Sequence, residues 1–203
     1  MRRLEVLAVI MFSVSFFWPV YASATPEAYE LDGAHTHIVW KVERFGFTRT
    51  VGSFADISGR LILDENDPEA SSVKAVIFLK GLRSDHAERE GIIRGPHWLD
   101  AQAFPNVTFT STQVTLLPDN ADRKMASVTG DLTLKGMTHP VTMTVTLNKV
   151  GTEPSSRKHA MGFSATGQLD RSDFGINTAI NFIGDSVSFE IEALAIKTTP
   201  APE

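Results

Sequence analysis

The sequence predicts an all-β fold: an eight-stranded antiparallel barrel with a short helix inserted between strands 3 and 4. Three observations carry this. Apolar residues recur at every second position in stretch after stretch, the period of a strand with one dry and one wet face. Clusters of turn residues separate these stretches at short intervals, which favours an antiparallel meander. One segment, Ser84–Phe104, breaks the alternation. A sheet with one dry face must close over it, and about eight strands is the number at which a barrel interior either fills with side chains or holds one small ligand.

The chain opens with Met1-Arg2-Arg3, an apolar run from Val6 to about Tyr21, and Ala22-Ser23-Ala24. These are the positive, apolar and small-x-small parts of a secretory signal peptide, with cleavage expected after Ala24. Residues 1–24 are thus the leader and residues 25–203 one domain. Cleavage removes Arg2, Arg3 and Glu5 and takes the net charge from −5 to −6. Ala34–Arg44 reads as the first strand, with Thr36, Ile38, Trp40 and Val42 inward and His35, His37, Lys41 and Glu43 outward. A second strand over about Thr50–Leu63 slips phase between Phe54 and Ile57, predicting a bulge near Asp56. Asp64–Pro68 is turn chemistry. Ser72–Lys80 is the third strand.

Ser84 or Asp85 is positioned to cap a helix over His86–Ile93, which Gly95-Pro96 ends. Trp98-Leu99-Asp100 begins a further short turn, stopped by Pro105. Val107–Thr112 is the fourth strand, and Pro118–Lys124 a polar turn. In Val128–Leu134 the inward set is Val128, Gly130, Leu132 and Leu134. In Val141–Leu147 it is Val141, Met143, Val145 and Leu147. Gly136–Pro140 joins these two strands. Thr152–Lys158 is a polar loop, Met161–Leu169 the seventh strand, Arg171–Ile180 a loop and Val187–Ile196 the eighth strand, with Phe189, Ile191 and Ala193 inward.

Composition narrows the function. The chain has no cysteine, which removes disulfides, thiolate catalysis and a lipoprotein anchor. A mildly acidic chain without a basic run argues against nucleic acid as partner. No Gly-x-Ser-x-Gly, His-Glu-x-x-His or P-loop motif is present. His35 and His37 share a strand face and could bind zinc, but that face is wet and a third ligand is missing; no metal or cofactor is assigned. His86 and Glu90, four apart, form either an acid/base pair or a polar helix surface. The aromatic inward positions are Trp40, Phe54, Phe109, Phe163 and Phe189. Gly52, Gly59, Ala75, Ser111, Gly130, Ala165, Gly167 and Ala193 share their phases. Such a mixture either interdigitates into a solid core or leaves a tunnel; periodicity does not decide which. Arg44 and Arg171 end inward runs, where an arginine holds a carboxylate or phosphate or else pairs with Asp173 or Asp185.

Several ordered blocks resemble the YceI-like family of secreted bacterial proteins. They are Tyr29-x-Leu31-Asp32 with His35-Thr36, Gly52-x-Phe54, Trp98-Leu99-Asp100 through Phe104-Pro105 to Phe109-x-Ser111-Thr112, Gly130–Gly136 with His139-Pro140-Val141, and Arg171–Ile176. The match runs from Tyr29 to Lys197. Where family members usually carry histidine, this chain has Arg44. The resemblance implies a lipocalin-like antiparallel barrel and a hydrophobic tunnel for a polyisoprenoid or other long-chain lipid. On that basis Ile38, Trp40, Val42, Phe54, Phe109, Phe163 and Phe189 are the expected lining. Arg44, Arg171 and the Arg89/Arg94/His97 group are the expected rim. The function expected is non-enzymatic binding, transport or storage of that lipid in the periplasm, with transient membrane contact. The alternative is an isomerase or hydrolase acting on a lipid in the same pocket. A homodimer would need a surface other than a barrel edge, since a closed barrel exposes few.

Overall fold

The computed structural model describes residues 26–120 and 123–198; the expected signal peptide lies outside the described residues. The strands are β1 (Glu27–Leu31), β2 (His37–Arg44), β3 (Thr48–Phe54), β4 (Ile57–Leu63), β5 (Ser72–Phe78), β6 (Leu82–Arg83), β7 (Asn106–Asn120), β8 (Arg123–Leu134), β9 (Met137–Thr152), β10 (His159–Asp170) and β11 (Ile183–Lys197). The helix α1 (Ala87–Arg94) lies between β6 and β7. All pairings are antiparallel, and the sheet closes on itself through β1 and β11.

Eleven strands fill eight positions. One end of β11 pairs with β1 and the rest with β2, so β1 and β2 are two halves of one wall position. Likewise β4 pairs with β1 while β3 pairs with β2. The expected bulge near Asp56 is a full break: Ala55 and Asp56 leave the ladder and separate β3 from β4. The expected first strand, Ala34–Arg44, begins only at His37, and a strand not expected from the sequence, β1, precedes it; between them Asp32 accepts from the Ala34 amide at 2.9 Å and from His35 Nδ1 at 2.7 Å and turns the chain. This pairing lowers the pKa of Asp32 below the usual carboxylate value and occupies His35.

The strands run longer than the alternation suggested. Lys135 and Gly136 both take positive φ, 53° and 76°, which makes a two-residue hairpin turn of the type that suits strand twist. Strand β9 therefore starts at Met137 rather than Val141. Strand β11 has 15 residues, about 50 Å of chain. At a tilt of roughly 40° it spans about 40 Å of barrel axis.

The break between β3 and β4 has a consequence at one end. There β3 meets only the two-residue β6, and residues 79–105 fill the space before β7. Leu79 and Leu82 anchor that insert in the core. Its helix is capped by His86, whose Nδ1 accepts from the Arg89 amide, rather than by Ser84 or Asp85. Glu90 reaches back to accept from the Ser84 amide at 2.8 Å and pairs with Arg94 at 3.0 Å. The His86 bond caps the helix start, while Glu90 ties the chain before the helix to α1, and the Ser84 amide is the first cause of the lowered Glu90 pKa. His86 and Glu90 are thus both engaged in fixing the helix.

Candidate ligand tunnel

The inner face of the barrel encloses a cavity of about 1140 Å³, above the roughly 300–1,000 Å³ of ordinary small-molecule sites. Residues Ile38, Trp40, Val42 and Arg44 of β2, Phe54 of β3, Phe109 of β7, Phe163 of β10, Arg171 just after β10, and Phe189 of β11 all line it. Sequence reasoning named these nine but missed the share of the other strands. Leu61 of β4, Ala75 of β5, Leu132 of β8 and Met143 of β9 complete the wall, with Trp98 and Leu99 of the insert. Those strand residues carry the same alternation and were readable from it; Trp98 and Leu99 sit in irregular chain and carry no periodic signal.

Three aromatic–glycine pairs explain why the interior stays open. Trp40 faces Gly52 across the β2–β3 ladder, and Phe189 faces Gly167 across β10–β11. Phe109 leans on Gly130, a diagonal neighbour on β8. A Cβ on Gly52 would stand 2.1 Å from Trp40 Cζ2, one on Gly167 2.5 Å from Phe189 Cζ, and one on Gly130 2.4 Å from Phe109 Cζ. Each ring therefore lies sideways along the wall, in the space that a side chain on the next strand would take. The large and small residues interdigitate within the wall and not across the lumen.

The ends differ in charge. The α1 end carries Arg44, Arg89 and Arg171; the far end carries Glu65, Asp119 and Lys124. Exposed lining residues occur at both ends. Between them, no ionisable side chain lines the middle of the cavity among the described residues.

The two predicted rim arginines are not equivalent. Arg171 is 4% exposed. Its Nε donates to Gly184 O at 2.9 Å, Nη1 to Ile176 O at 2.5 Å and Thr178 O at 3.0 Å, and Nη2 to Ile183 O at 2.8 Å. Burial lowers its pKa, opposed by Asp185 nearby. Asp185 itself accepts from the Ser172 amide and hydroxyl, so the carboxylate pairing considered for Arg171 gives way to a carbonyl cage. Arg171 also stands 5.2 Å over Trp98. Arg44 is exposed at the mouth, 4.5 Å over the Phe45 ring, with no carboxylate within ion-pair distance among the described residues. Of the Arg89/Arg94/His97 group only Arg89 lines the cavity; Arg94 pairs with Glu90, and the His97 carbonyl accepts from Thr178 Oγ1.

A closed antiparallel barrel around a continuous apolar lumen places this chain in the class of hollow β-barrels. The YceI-like domain matches residues 29–195, and the chain belongs to the YceI-like family. It is 37% identical over 155 residues to a UPF0312 protein of Pseudomonas putida, covering 76% of this chain and 78% of that one. Among solved structures it is similar to Burkholderia cenocepacia BcnA, with a TM-score of 0.70 at 22% identity, covering 81% of this chain and 98% of that one. It is also similar to a polyisoprenoid-binding domain from Saccharophagus degradans implicated in plant cell wall breakdown. There the TM-score is 0.63 at 13% identity, covering 85% of this chain and 99% of that one.

Proposed function

We propose that this protein binds one long apolar chain, a polyisoprenoid or similar amphiphilic lipid, and carries or stores it outside the cytoplasm. The observation that carries the reading is the open apolar lumen, kept clear by rings folded onto glycines. Taking a methylene out of water is worth about 0.8 kcal/mol, so a five-carbon isoprene unit gains roughly 3–4 kcal/mol gross. After ordering costs, a few units suffice for micromolar affinity measured from water. A lipid in a bilayer is already dry, so exchange between membrane and tunnel is close to balanced. Selectivity then rests on tunnel shape and on the charged ends.

The relative from Saccharophagus degradans supports the ligand class. The uncharged middle of the tunnel supports binding over turnover, since acid–base chemistry needs a titratable group at the reacting atoms. The leader-like start of the sequence supports an extracytoplasmic site, the periplasm in a Gram-negative cell. Native mass spectrometry of the purified protein tests the proposal. A co-purified lipid released chemically unchanged is expected. An empty protein that takes up no prenyl analogue refutes it, and release of a converted product favours an enzyme.

A further inference from the structure

The tunnel's α1 end carries most of the large apolar side chains that the barrel leaves in water. Among the described residues nine are exposed, and six of them sit around this rim: Phe45, Phe47, Ile92, Met137, Ile180 and Phe182. Of the other three among the described residues, Leu116 and Val150 lie towards the far end and Val51 lies on β3 beside Lys41. Phe47 is 90% exposed and Phe182 59% exposed. They project from two adjacent loops: the Phe45 amide donates to Phe182 O at 2.7 Å, and the Phe45 and Phe182 rings stand 5.7 Å apart. Phe45 holds this arrangement with φ at 54°, a conformation unusual for a bulky side chain. Apolar groups clustered in this way on one surface mark a docking site.

Charge and position identify what docks. Arg44 and Arg49 flank the tip, with Glu43 the acidic neighbour. Neither arginine has a carboxylate within ion-pair distance among the described residues, although the whole chain is acidic. Aromatic rings fringed by arginine suit the interface of an anionic bilayer, where rings enter the acyl boundary and guanidinium groups meet phosphates. The patch is continuous with the tunnel mouth, because Arg44, Ile92 and Ile183 line the cavity. We infer that the protein docks mouth-down on an anionic phospholipid bilayer through the Phe45–Phe47 tip and the Ile180–Phe182 loop. This rests on the lipid-carrier reading above, because docking there sets the tunnel against the membrane that supplies or receives its cargo.

The chain has no cysteine, so one introduced thiol carries one label. Phe47→Cys and Lys158→Cys, each bearing an environment-sensitive fluorophore, are mixed with vesicles of phosphatidylethanolamine and phosphatidylglycerol. Lys158 is exposed beyond the far end and does not line the cavity. The label at position 47 is expected to brighten and shift blue, and the label at position 158 to stay unchanged. Phosphatidylcholine vesicles or high salt should weaken the response. Phe47→Ser with Phe182→Ser should lower vesicle binding by about tenfold or more, on the hydrophobic value of one buried phenylalanine. The same variant should take up a fluorescent prenyl analogue from vesicle-free buffer as the parent does. Equal responses at positions 47 and 158, no response at either, or unchanged vesicle binding by the double variant overturns the inference. A response at position 47 that grows with protein concentration without vesicles shows contact between copies instead, and also overturns it. Prenyl uptake lost in the parent while position 47 still inserts refutes the carrier reading and leaves the docking surface standing.

Discussion

Replacing Gly167 by alanine tests the idea that small residues in the wall hold the tunnel open. The new Cβ would lie 2.5 Å from Phe189 Cζ and 2.9 Å from Cε2, with Thr142 O at 3.1 Å, whereas ordinary contact begins at 3.4 Å. The ring must retreat by about 1 Å to reach that limit, and the open space beside it is the lumen. Overpacking of this kind costs about 1–3 kcal/mol. Removing a strand glycine returns roughly 0.5–1 kcal/mol of backbone entropy. The expected net loss in urea unfolding is therefore about 0.5–2 kcal/mol. In a Phe189→Leu background the ring clash is gone and only the tight Thr142 O contact at 3.1 Å remains, so Gly167→Ala should cost little or nothing, a coupling of about 1–2 kcal/mol in the double-mutant cycle. Ligand binding should change with it. A ring that displaces even two methylenes forfeits about 1.6 kcal/mol, more than tenfold in affinity for a prenyl analogue. Gly167→Ala that matches the parent in both stability and affinity, or that adds simply to Phe189→Leu, refutes the reasoning.

Arg171→Lys should destabilise the protein by about 3–5 kcal/mol in chemical denaturation, because one ammonium cannot serve four carbonyls spread over Ile176 to Gly184. Hydrogen exchange should rise over the same loop; wild-type stability would show that the cage is dispensable. Glu153 is held down to about 2 by the amides of Ser155 and Ser156. A depressed carboxylate stabilises above its ordinary value of 4.5, and that contribution fades as pH falls towards 2. The Ser155 and Ser156 amide NMR shifts should titrate near the lower value, and Glu153→Gln should abolish the transition. Phe109→Trp enlarges a ring already seated on Gly130 and should weaken uptake of a fluorescent prenyl analogue; unaltered uptake would remove Phe109 from the lining that matters.

Much of the barrel was legible because alternation is a local signal with a global meaning. Val141, Met143, Val145 and Leu147 line one face of β9 for the reason that makes them alternate in the sequence. Strand β1 was not read from the sequence. It has only five residues, and the Asp32 turn onto Ala34 and His35 sets it apart from the longer alternation that follows. The helix was visible from Gly95-Pro96, but its cap was not. A histidine accepts a capping bond only in the right tautomer, and Ser84 and Asp85 looked better suited. Whether the interior was solid or hollow depended on pairing across strands. Trp40 with Gly52, and Phe189 with Gly167, sit on sequential strands but face each other only once the register is set. The role of Arg171 was hidden for a related reason. Its partners are main-chain carbonyls, which carry no residue signature.

The broken strands divide the wall into two mechanical regimes. Beside β1, neighbouring strands are stitched by ladder on both sides, with six paired positions between β4 and β5 and five between β5 and β7. Beside β3 the stitching stops after Ser53 and Phe54, and a seam runs down that flank, stuffed with the helical insert. Packed side chains yield to a bulky guest more readily than a hydrogen-bonded ladder, because rotamers shift while ladder bonds must break. Girth is thus fixed where Tyr29 sits and adjustable beside Trp98, so this is a rigid sleeve with one elastic cuff.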